Sequence, residues 1–481
     1  MAPSRFMQGQ GLGPELALPA GARDASPVAA RPVALSMRDG GPGWVYAYLA
    51  IEIGCQLALL SPELAPARVF FRSAAFGTSL LFLFLTPSTG MRVSHPARLM
   101  AGFAVIILSL SAFNPSGGAP LAVVAHWSLY FAVLAPLFWV SRLRLPEETL
   151  GRLLVALWIF HTISSGVGLL QVYFPGRFQP ALTTFITEKQ MLMIRLASGE
   201  WVPRPMGLTD TPGGAAASGL FAALLGIGVV LTRPFRFAPA MGFLSMTMGM
   251  ACLYLSQVRA ALVMLGICFV VVVVILGVSG RISRAFWSLS FGVVVVLLGF
   301  RLAFDVGGDT VTSRLSSLTQ YDPTTVYQNN RGFMLEDAFL NVLPKYPLGA
   351  GLGHWGMMNV YFGSPEDYIG AEIQWVGWML DGGIPLMIVY SVALLTTIYH
   401  AVRTSLRGVG GRFGAWAAII AAYDVGTFAL CFSYAPFVGS AGLEFWLLNA
   451  VLIQVSRAEL SRVAARATPS LVPAQAAPST P

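Results

Sequence analysis

Charged residues are scarce in this chain. Lys, Arg, Asp and Glu together supply 11% of its 481 residues, whereas 56% are hydrophobic. About a quarter of the residues in a soluble domain are charged, so this balance excludes an ordinary soluble protein. Apolar runs of roughly 18 to 22 residues recur along the chain, and each is long enough to cross a hydrocarbon layer of about 30 Å. The composition therefore predicts an all-α, polytopic integral membrane protein.

Cysteines and metal-ligand motifs are also few. The chain has four cysteines, all in apolar runs and without paired spacing: Cys55, Cys252, Cys268 and Cys431. We expect them to be buried small apolar side chains. No H-E-x-x-H, Cys/His cluster or G-x-S-x-G occurs, so neither a metal nor a cofactor is expected. The formal net charge is +8, but no basic and aromatic pattern accompanies it, and nucleic acid is not an expected partner.

Apolar runs divide the chain into a membrane domain with a polar tail at each end. Residues 1–42 and 466–481 are rich in Pro and Ala, and we expect both to be disordered cytoplasmic tails. Residues 43–465 form the predicted membrane domain. Its twelve predicted transmembrane helices lie near residues 43–61, 69–87, 98–114, 120–140, 152–173, 214–232, 238–256, 260–280, 285–303, 373–399, 413–433 and 440–456.

Arginines in the short loops predict the orientation of these helices. The loops after the second, fourth, sixth, eighth and tenth helices carry most of them, whereas the loops at 114–119 and 434–439 carry none. The positive-inside rule then puts both chain termini in the cytoplasm. Two long loops, at about 174–213 and 304–372, fall on the opposite, non-cytoplasmic side.

The second long loop is unusually polar for this chain. Apolar residues recur at helical spacing from Phe333 to Leu343, and Pro344 follows them. This pattern predicts a short amphipathic helix that begins after Asn330 and could cover a cavity at the outer leaflet. A membrane protein does not need a charged loop of this kind in order to fold in lipid. The loop therefore indicates a charged substrate at the membrane surface.

Three arginines stand apart from the cytoplasmic set. Arg204 precedes the sixth helix, Arg259 lies at the junction of the seventh and eighth, and Arg331 opens the loop helix. An arginine among apolar segments is costly and usually has an anionic partner. Each could pair with a carboxylate such as Asp210 or Asp337, or extend to the interface. Three of them on one side of the membrane favour a phosphate site, because guanidinium groups match phosphate oxygens.

The pattern G-x-G-x-x-G occurs at Gly351–Gly356. No βαβ unit surrounds it, so a tight turn or a close backbone approach explains the glycines better than a dinucleotide site does. His354 lies in this turn and is a candidate site residue, whereas His126 and His161 in apolar runs are typical of hydrogen-bonded core residues.

Four acids also fall in apolar runs: Glu52, Asp381, Asp424 and Glu444. They form either structural pairs or an ion path, and the sequence does not decide between these.

Four motifs, in their order along the chain, resemble those of the O-antigen ligase and O-antigen polymerase superfamily of bacterial envelope glycosyltransferases. They are Arg204-Pro-Met-Gly-Leu with Pro212-Gly213, Ser256-Gln-Val-Arg259-Ala-Ala, Arg331 with Pro347-Leu-Gly-Ala-Gly351, and Glu372 with Asp381-Gly-Gly383. The chain departs from the family where Gly213 replaces an asparagine and where Glu372 falls at the place of a histidine. Many ligases are thought to use that histidine near the acceptor, so its absence favours a polysaccharide polymerase.

The resemblance implies a donor glycan carried on undecaprenyl diphosphate and transfer at the periplasmic face of the bacterial inner membrane. Arg259 and Arg331 would hold the diphosphate with help from Arg204, and Glu372 or His354 would act as the catalytic base. Glu372 could alternatively be an interfacial carboxylate that pairs with a loop arginine such as Arg331. No metal or cofactor is implied. The partners would be the lipid-linked oligosaccharide, membrane lipid and a chain-length regulator protein.

Three other functions stay open at this point. An O-antigen ligase would transfer the same kind of glycan to lipid A–core. A transporter or flippase of lipid-linked precursors fits twelve helices, but such proteins bind substrate near the midplane between related halves, whereas the unusual charges here lie at one face. A structural envelope scaffold would leave the three arginines without a purpose.

Overall fold

The chain folds almost entirely into helices. The structure, a computed structural model, describes residues 40–88, 95–180, 192–316, 320, 322–364, 366, 368–408 and 411–467. In these ranges the α-helices of 15 residues or more are α1 Gly43–Ala58, α2 Arg68–Leu85, α3 Pro96–Ser111, α4 Pro120–Leu134, α5 Glu148–Tyr173, α6 Ala215–Thr232, α7 Ala238–Ser256, α8 Arg259–Val278, α9 Ile282–Gly307, α10 Gln374–Gly408, α11 Arg412–Leu430 and α12 Ser440–Ala467. The predicted tails lie almost wholly outside the described residues.

Each of the twelve predicted apolar spans coincides with one of these helices. Among the described residues, nine helices are long and apolar enough to cross a membrane by length and composition, and α3 is a shorter apolar helix. A membrane protein fits this arrangement, and the count of twelve spans stays a prediction. The split of residues 238–280 into two helices is confirmed, because α7 ends at Ser256 and Gln257 adopts a left-handed φ of 58° before α8 begins.

Apolar side chains cover the outside of the helix bundle as well as its inside. Phe84 on α2 is 81% exposed and Leu297 on α9 is 62% exposed, which suits contact with lipid tails but not with water. The inner helix α6 packs closely on α7, because a Cβ on Gly219 would lie 2.7 Å from the carbonyl oxygen of Gly249. Small residues at such contacts are typical of helix packing in membranes.

Both long loops lie at the same end of the bundle, which we call the loop end. A short antiparallel hairpin in the first loop, β1 Met193–Arg195 with β2 Trp201–Pro203, was not predicted. It is joined to the end of α9, since Ala197 N donates to Val306 O at 2.8 Å and Thr310 Oγ1 donates to Arg195 O at 2.7 Å. This agrees with the prediction that the two loops share one side of the membrane.

The second long loop contains the predicted helix, but it begins earlier than expected. The loop helix runs from Pro323 to Lys345 as alternating α and π segments. The Asp322 carboxylate caps it by accepting from the Thr324 hydroxyl and, at 3.0 Å, from Thr325 N. These hydrogen bonds, above all the one from Thr324, hold the pKa of Asp322 below its usual range. An Asp cap followed by proline starts a helix well.

The loop helix presents apolar residues on two sides. Ala338 is buried, and Leu335 and Val342 pack with it on a small core beneath the helix. On the other side Phe333 is 49% exposed and Leu340 is 65% exposed. The helix therefore covers the loop end and also offers an apolar surface to its surroundings.

Candidate functional site

The Arg204 segment is an inward-lying loop held by side chains of α5. Gln171 Oε1 accepts hydrogen bonds from Met206 N at 2.8 Å and Gly207 N at 2.9 Å, and Gln171 Nε2 donates to Gly207 O at 2.9 Å. Ser164 Oγ accepts from Leu208 N at 3.0 Å. Non-helical backbone among apolar helices needs such partners for its polar groups. The loop that carries Arg204 is therefore rigidly supported.

Arg204 approaches the junction from which Arg259 begins α8. Gly213 lies between them: a Cβ built on this residue would be 3.9 Å from Arg204 Cδ and 4.0 Å from the carbonyl oxygen of Ser256. Arg259 is the first residue of α8. The structure thus places the Arg204 loop beside the α7–α8 junction, three residues before Arg259. Gly213, where the family has an asparagine, has a φ of 81°.

A fourth arginine near this loop was missed by the sequence analysis. Arg72 on α2 donates from Nη2 to Asp210 Oδ2 at 2.7 Å and from Nη1 to the Tyr361 hydroxyl at 2.9 Å. The Asp210 side chain is only 6% exposed, whereas that of Arg72 is 40% exposed. Asp210 is therefore an anionic partner for Arg72, which the sequence had assigned to an ordinary transmembrane helix.

A second inward loop, Tyr346–Gly356, occupies a break in α10. Gly383 has a φ of 61° and interrupts the helix. Next to this break, Leu380 O accepts hydrogen bonds from the loop, from Ala350 N at 2.7 Å and Gly351 N at 3.2 Å. Ile384 N in turn donates to Pro347 O at 2.9 Å. The loop thus replaces the hydrogen bonds that the helix break removes.

Glycines allow this loop to pass close to other backbone. Gly353 has a φ of 90°, and a Cβ there would lie 3.0 Å from Val123 N at the start of α4. The expectation of a tight turn with close backbone approach is confirmed at this position. The G-x-G-x-x-G pattern here follows the loop helix and opens the short helix Gly356–Phe362, so it has the context of a packing motif.

Buried polar residues anchor the second inward loop, Tyr346–Gly356, which we call the glycine loop. Asp381, fully buried, accepts from the Tyr130 hydroxyl at 2.7 Å and from Trp355 Nε1 at 2.9 Å. His126 Nδ1 accepts from Gly353 N at 3.3 Å. The prediction that His126 is a hydrogen-bonded core residue is confirmed, and Asp381 has two hydrogen-bond donors of the kind expected of a structural acid. Leaving such a buried acceptor or donor unpaired costs about 1–3 kcal/mol.

His354 faces the loop between α3 and α4. Its Nε2 donates to the carbonyl oxygen of Ser116 at 2.7 Å, and its own carbonyl oxygen accepts from Ile369 N at 2.8 Å. The residue as a whole is 9% exposed. Because Nε2 carries the proton in this arrangement, Nδ1 is the basic nitrogen of the neutral ring.

Arg331 and Glu372 form an ion pair between the loop helix and the start of α10. The guanidinium Nη1 of Arg331 contacts Glu372 Oε2, and the two side chains are 36% and 50% exposed. An ion pair this accessible contributes about 0–1 kcal/mol. An incoming phosphate could therefore exchange with the carboxylate at little cost. The alternative in which Glu372 is simply the partner of a loop arginine has this contact in its favour.

Four of the five predicted site residues fall into two pairs of positions at the loop end, and His354 belongs to neither. The Arg204 loop adjoins the junction at which Arg259 begins α8, and Arg331 pairs with Glu372. His354 lies in the glycine loop, whose following helix is joined to the Arg204 loop through Arg72. In the ranges that the structure describes, no group of three or more His, Cys, Asp or Glu side chains could hold a metal ion.

Comparison with known protein families identifies one region of the chain. Residues 241–391 match the family model described as O-Antigen ligase (Wzy_C). The matched region contains Arg259, Arg331, His354 and Glu372, whereas Arg204 and Arg72 precede it. No curated protein matches the chain. The resemblance inferred from the motifs is confirmed, and it supports a membrane glycosyltransferase of the ligase or polymerase type that acts on a lipid-linked glycan.

Proposed function

Because residues 241–391 match the O-antigen ligase family model, which supports the O-antigen ligase and polymerase superfamily, we propose that this chain is a polymerase. It would join oligosaccharide repeat units carried on a polyprenyl diphosphate, at the periplasmic face of the inner membrane, during surface or exopolysaccharide synthesis. The observation that carries the proposal is that the Arg204 loop adjoins, through Gly213, the α7–α8 junction at which Arg259 begins α8. Fixed guanidinium groups suit a diphosphate better than a neutral ligand.

In this proposal the arginines stabilise the charge that grows on the departing diphosphate. Arg259 and Arg204 hold it from the α7–α8 junction, and Arg331 binds it from the loop helix. Such groups act in a preorganised, partly dry site, where removing one donor typically costs about 100- to 1,000-fold in rate. The two inward loops provide this preorganisation, because their backbone groups are hydrogen-bonded to side chains of neighbouring helices.

The ion pair between Arg331 and Glu372 suggests how the acceptor is activated. When the donor diphosphate binds Arg331, the Glu372 carboxylate is released. It can then accept the proton of the acceptor hydroxyl as that oxygen attacks the sugar carbon and the diphosphate leaves. His354 is the other candidate base, since its Nδ1 is the basic nitrogen in the tautomer that donates to Ser116.

An O-antigen ligase is the second candidate, because the matching family carries that description. Glu372 at the place of the family's histidine favours the polymerase. The glycan profile of a deletion strain separates the two. We expect single repeat units on the lipid carrier to accumulate and long polymer to disappear. Long polymer that remains on the lipid carrier, unattached to lipid A–core, would instead identify a ligase.

The proposed orientation puts the loop end in the periplasm and both termini in the cytoplasm. In a variant with Cys55→Ala, we expect a Thr325→Cys side chain to react with an impermeant thiol reagent added to the periplasmic side. Leu406→Cys, 41% exposed at the other end of α10, should not react until the membrane is opened. The remaining native cysteines are buried. The reverse labelling pattern would place the site in the cytoplasm and refute the proposed face.

A further inference from the structure

Arg72 joins the Arg204 loop to the short helix Gly356–Phe362. Its Nη2 contacts Asp210, six residues after Arg204, and its Nη1 contacts Tyr361 in the short helix that follows His354. We infer that Arg72 is a positioning residue that holds the Arg204 loop and the His354 segment in a fixed relation. The inference rests on the proposed function in one respect: it takes these two segments as the donor and acceptor sides of one site.

Both ends of the bridge are attached to rigid structure. On one side, the loop from Arg204 to Asp210 is fixed by Gln171 and Ser164. On the other side, Asn359 Nδ2 in the short helix donates to Gly353 O at 3.0 Å, and this ties the helix to the glycine loop. A movement at either end of the bridge is therefore carried to a predicted site residue.

The two contacts of this bridge, from Arg72 to Asp210 and from Arg72 to Tyr361, require an arginine. The two contacts use different nitrogens of one planar guanidinium, so the angle between Asp210 and Tyr361 is fixed by covalent geometry. Lysine offers a single ammonium on a flexible stem and cannot reproduce that fork. Asp210 also depends on the contact, because a carboxylate that is 6% exposed is costly to leave without a cation.

Arg72 could instead bind the donor phosphate itself, since 40% of its side chain is exposed. A charge exchange separates the two roles. The variant R72D/D210R restores an ion pair between α2 and the Arg204 loop but removes the cation from α2. If Arg72 positions the loop, the double variant should recover part of the activity that either single variant loses, because it restores the ion pair but not the donation from Arg72 to Tyr361. If Arg72 binds phosphate, aspartate at that place should abolish activity in both.

The test uses the purified full chain in liposomes with lipid-linked repeat units collected from the deletion strain. We expect Arg72→Ala to lower turnover by about tenfold to a hundredfold with less than about a threefold change in donor KM, because misplacement of reacting groups acts on the chemical step. Tyr361→Phe, which keeps the ring and the ion pair, should lower turnover by about threefold to fivefold, the value of one hydrogen bond. Adding Tyr361→Phe to Arg72→Ala should have no further effect.

A measurement independent of activity accompanies these kinetics. Spin labels on Thr211→Cys and Val360→Cys, both at exposed positions, in the Cys55→Ala variant report the distance between the two segments. We expect a narrow distribution in the chain with Arg72 and a broader one with Arg72→Ala. An unchanged distribution, or normal turnover in Tyr361→Phe and Arg72→Ala, would overturn the inference. If the chain with Arg72 forms no polymer, the proposed function is refuted. The distance measurement still tests whether Arg72 holds the two segments in a fixed relation.

Discussion

Arg259→Ala is expected to abolish polymer while the protein still inserts and accumulates in the membrane. Arg259 opens α8, three residues after Ser256, whose carbonyl oxygen lies near Gly213 and the Arg204 loop, and in the proposed function its guanidinium holds the diphosphate of the donor. Removing one preorganised donor from such a place lowers the rate by about 100-fold or more. The measurement is polymer formed per amount of membrane-extracted protein, in cells and with purified chain.

Two further variants make this result specific. Arg259→Lys should restore little activity, because a point charge cannot form two parallel hydrogen bonds to phosphate oxygens. Arg301→Ala is the matched control: Arg301 pairs with Asp305 at 3.2 Å on the same side of the membrane, but its side chain is 71% exposed. We expect the control to retain near-normal activity, since exposed pairs contribute about 0–1 kcal/mol. Equal losses in Arg259→Ala and Arg301→Ala would count against a phosphate role for Arg259.

The sequence predicted the helices well because each depends on a local property. An apolar run long enough to cross a membrane forms a helix whatever its neighbours are, since the backbone must satisfy its own hydrogen bonds in lipid. The break at Gln257 and Val258 also had a local signal, two polar residues in Ser256-Gln257 between apolar runs. The start of the loop helix also has a local signal, because Asp322 is followed by Pro323. The apolar spacing begins only at Phe333, so this spacing alone predicts a later start.

The inward loops could be predicted only in part. Glycines at 349, 351 and 353 indicated close backbone approach, but their partners, Leu380 and His126, are distant in the sequence. Gly383 and Pro385 marked a break in the tenth helix without indicating that another segment fills it. The hairpin at Met193–Pro203 has strands of only three residues, too short for alternation to be recognised.

Arg72 had no signal that separated it from an arginine extending to the interface. It lies four residues after the first residue of the apolar helix α2, and arginine side chains near a helix end commonly reach water. Its role follows from Asp210 and Tyr361, which are 138 and 289 residues away. Arg331 and Glu372, by contrast, were each singled out in the sequence, and their pairing was one of the alternatives considered. The sequence identifies individual charged residues, whereas the ion pairs and hydrogen bonds between them depend on the tertiary structure.

Glu372→Gln is expected to lower turnover by about 100-fold or more, as loss of a general base does. Glutamine keeps the shape of the side chain but cannot accept a proton. It also cannot hold Arg331 by charge, so the donor diphosphate meets no competing carboxylate at Arg331. Donor KM should therefore stay the same or fall while turnover drops. Glu366→Gln, an exposed carboxylate in the same loop, is the matched control and should have near-normal activity.

The split between turnover and KM distinguishes a base from a purely structural carboxylate. If Glu372 only fixes the loop helix, breaking its pair with Arg331 should loosen the site, raise donor KM and reduce protein levels at least as much as activity. Near-normal polymer from a well-expressed Glu372→Gln variant would transfer the role to His354. In that case His354→Gln should give the large fall in turnover instead, because its amide can still donate to Ser116 but has no basic nitrogen to take the acceptor proton.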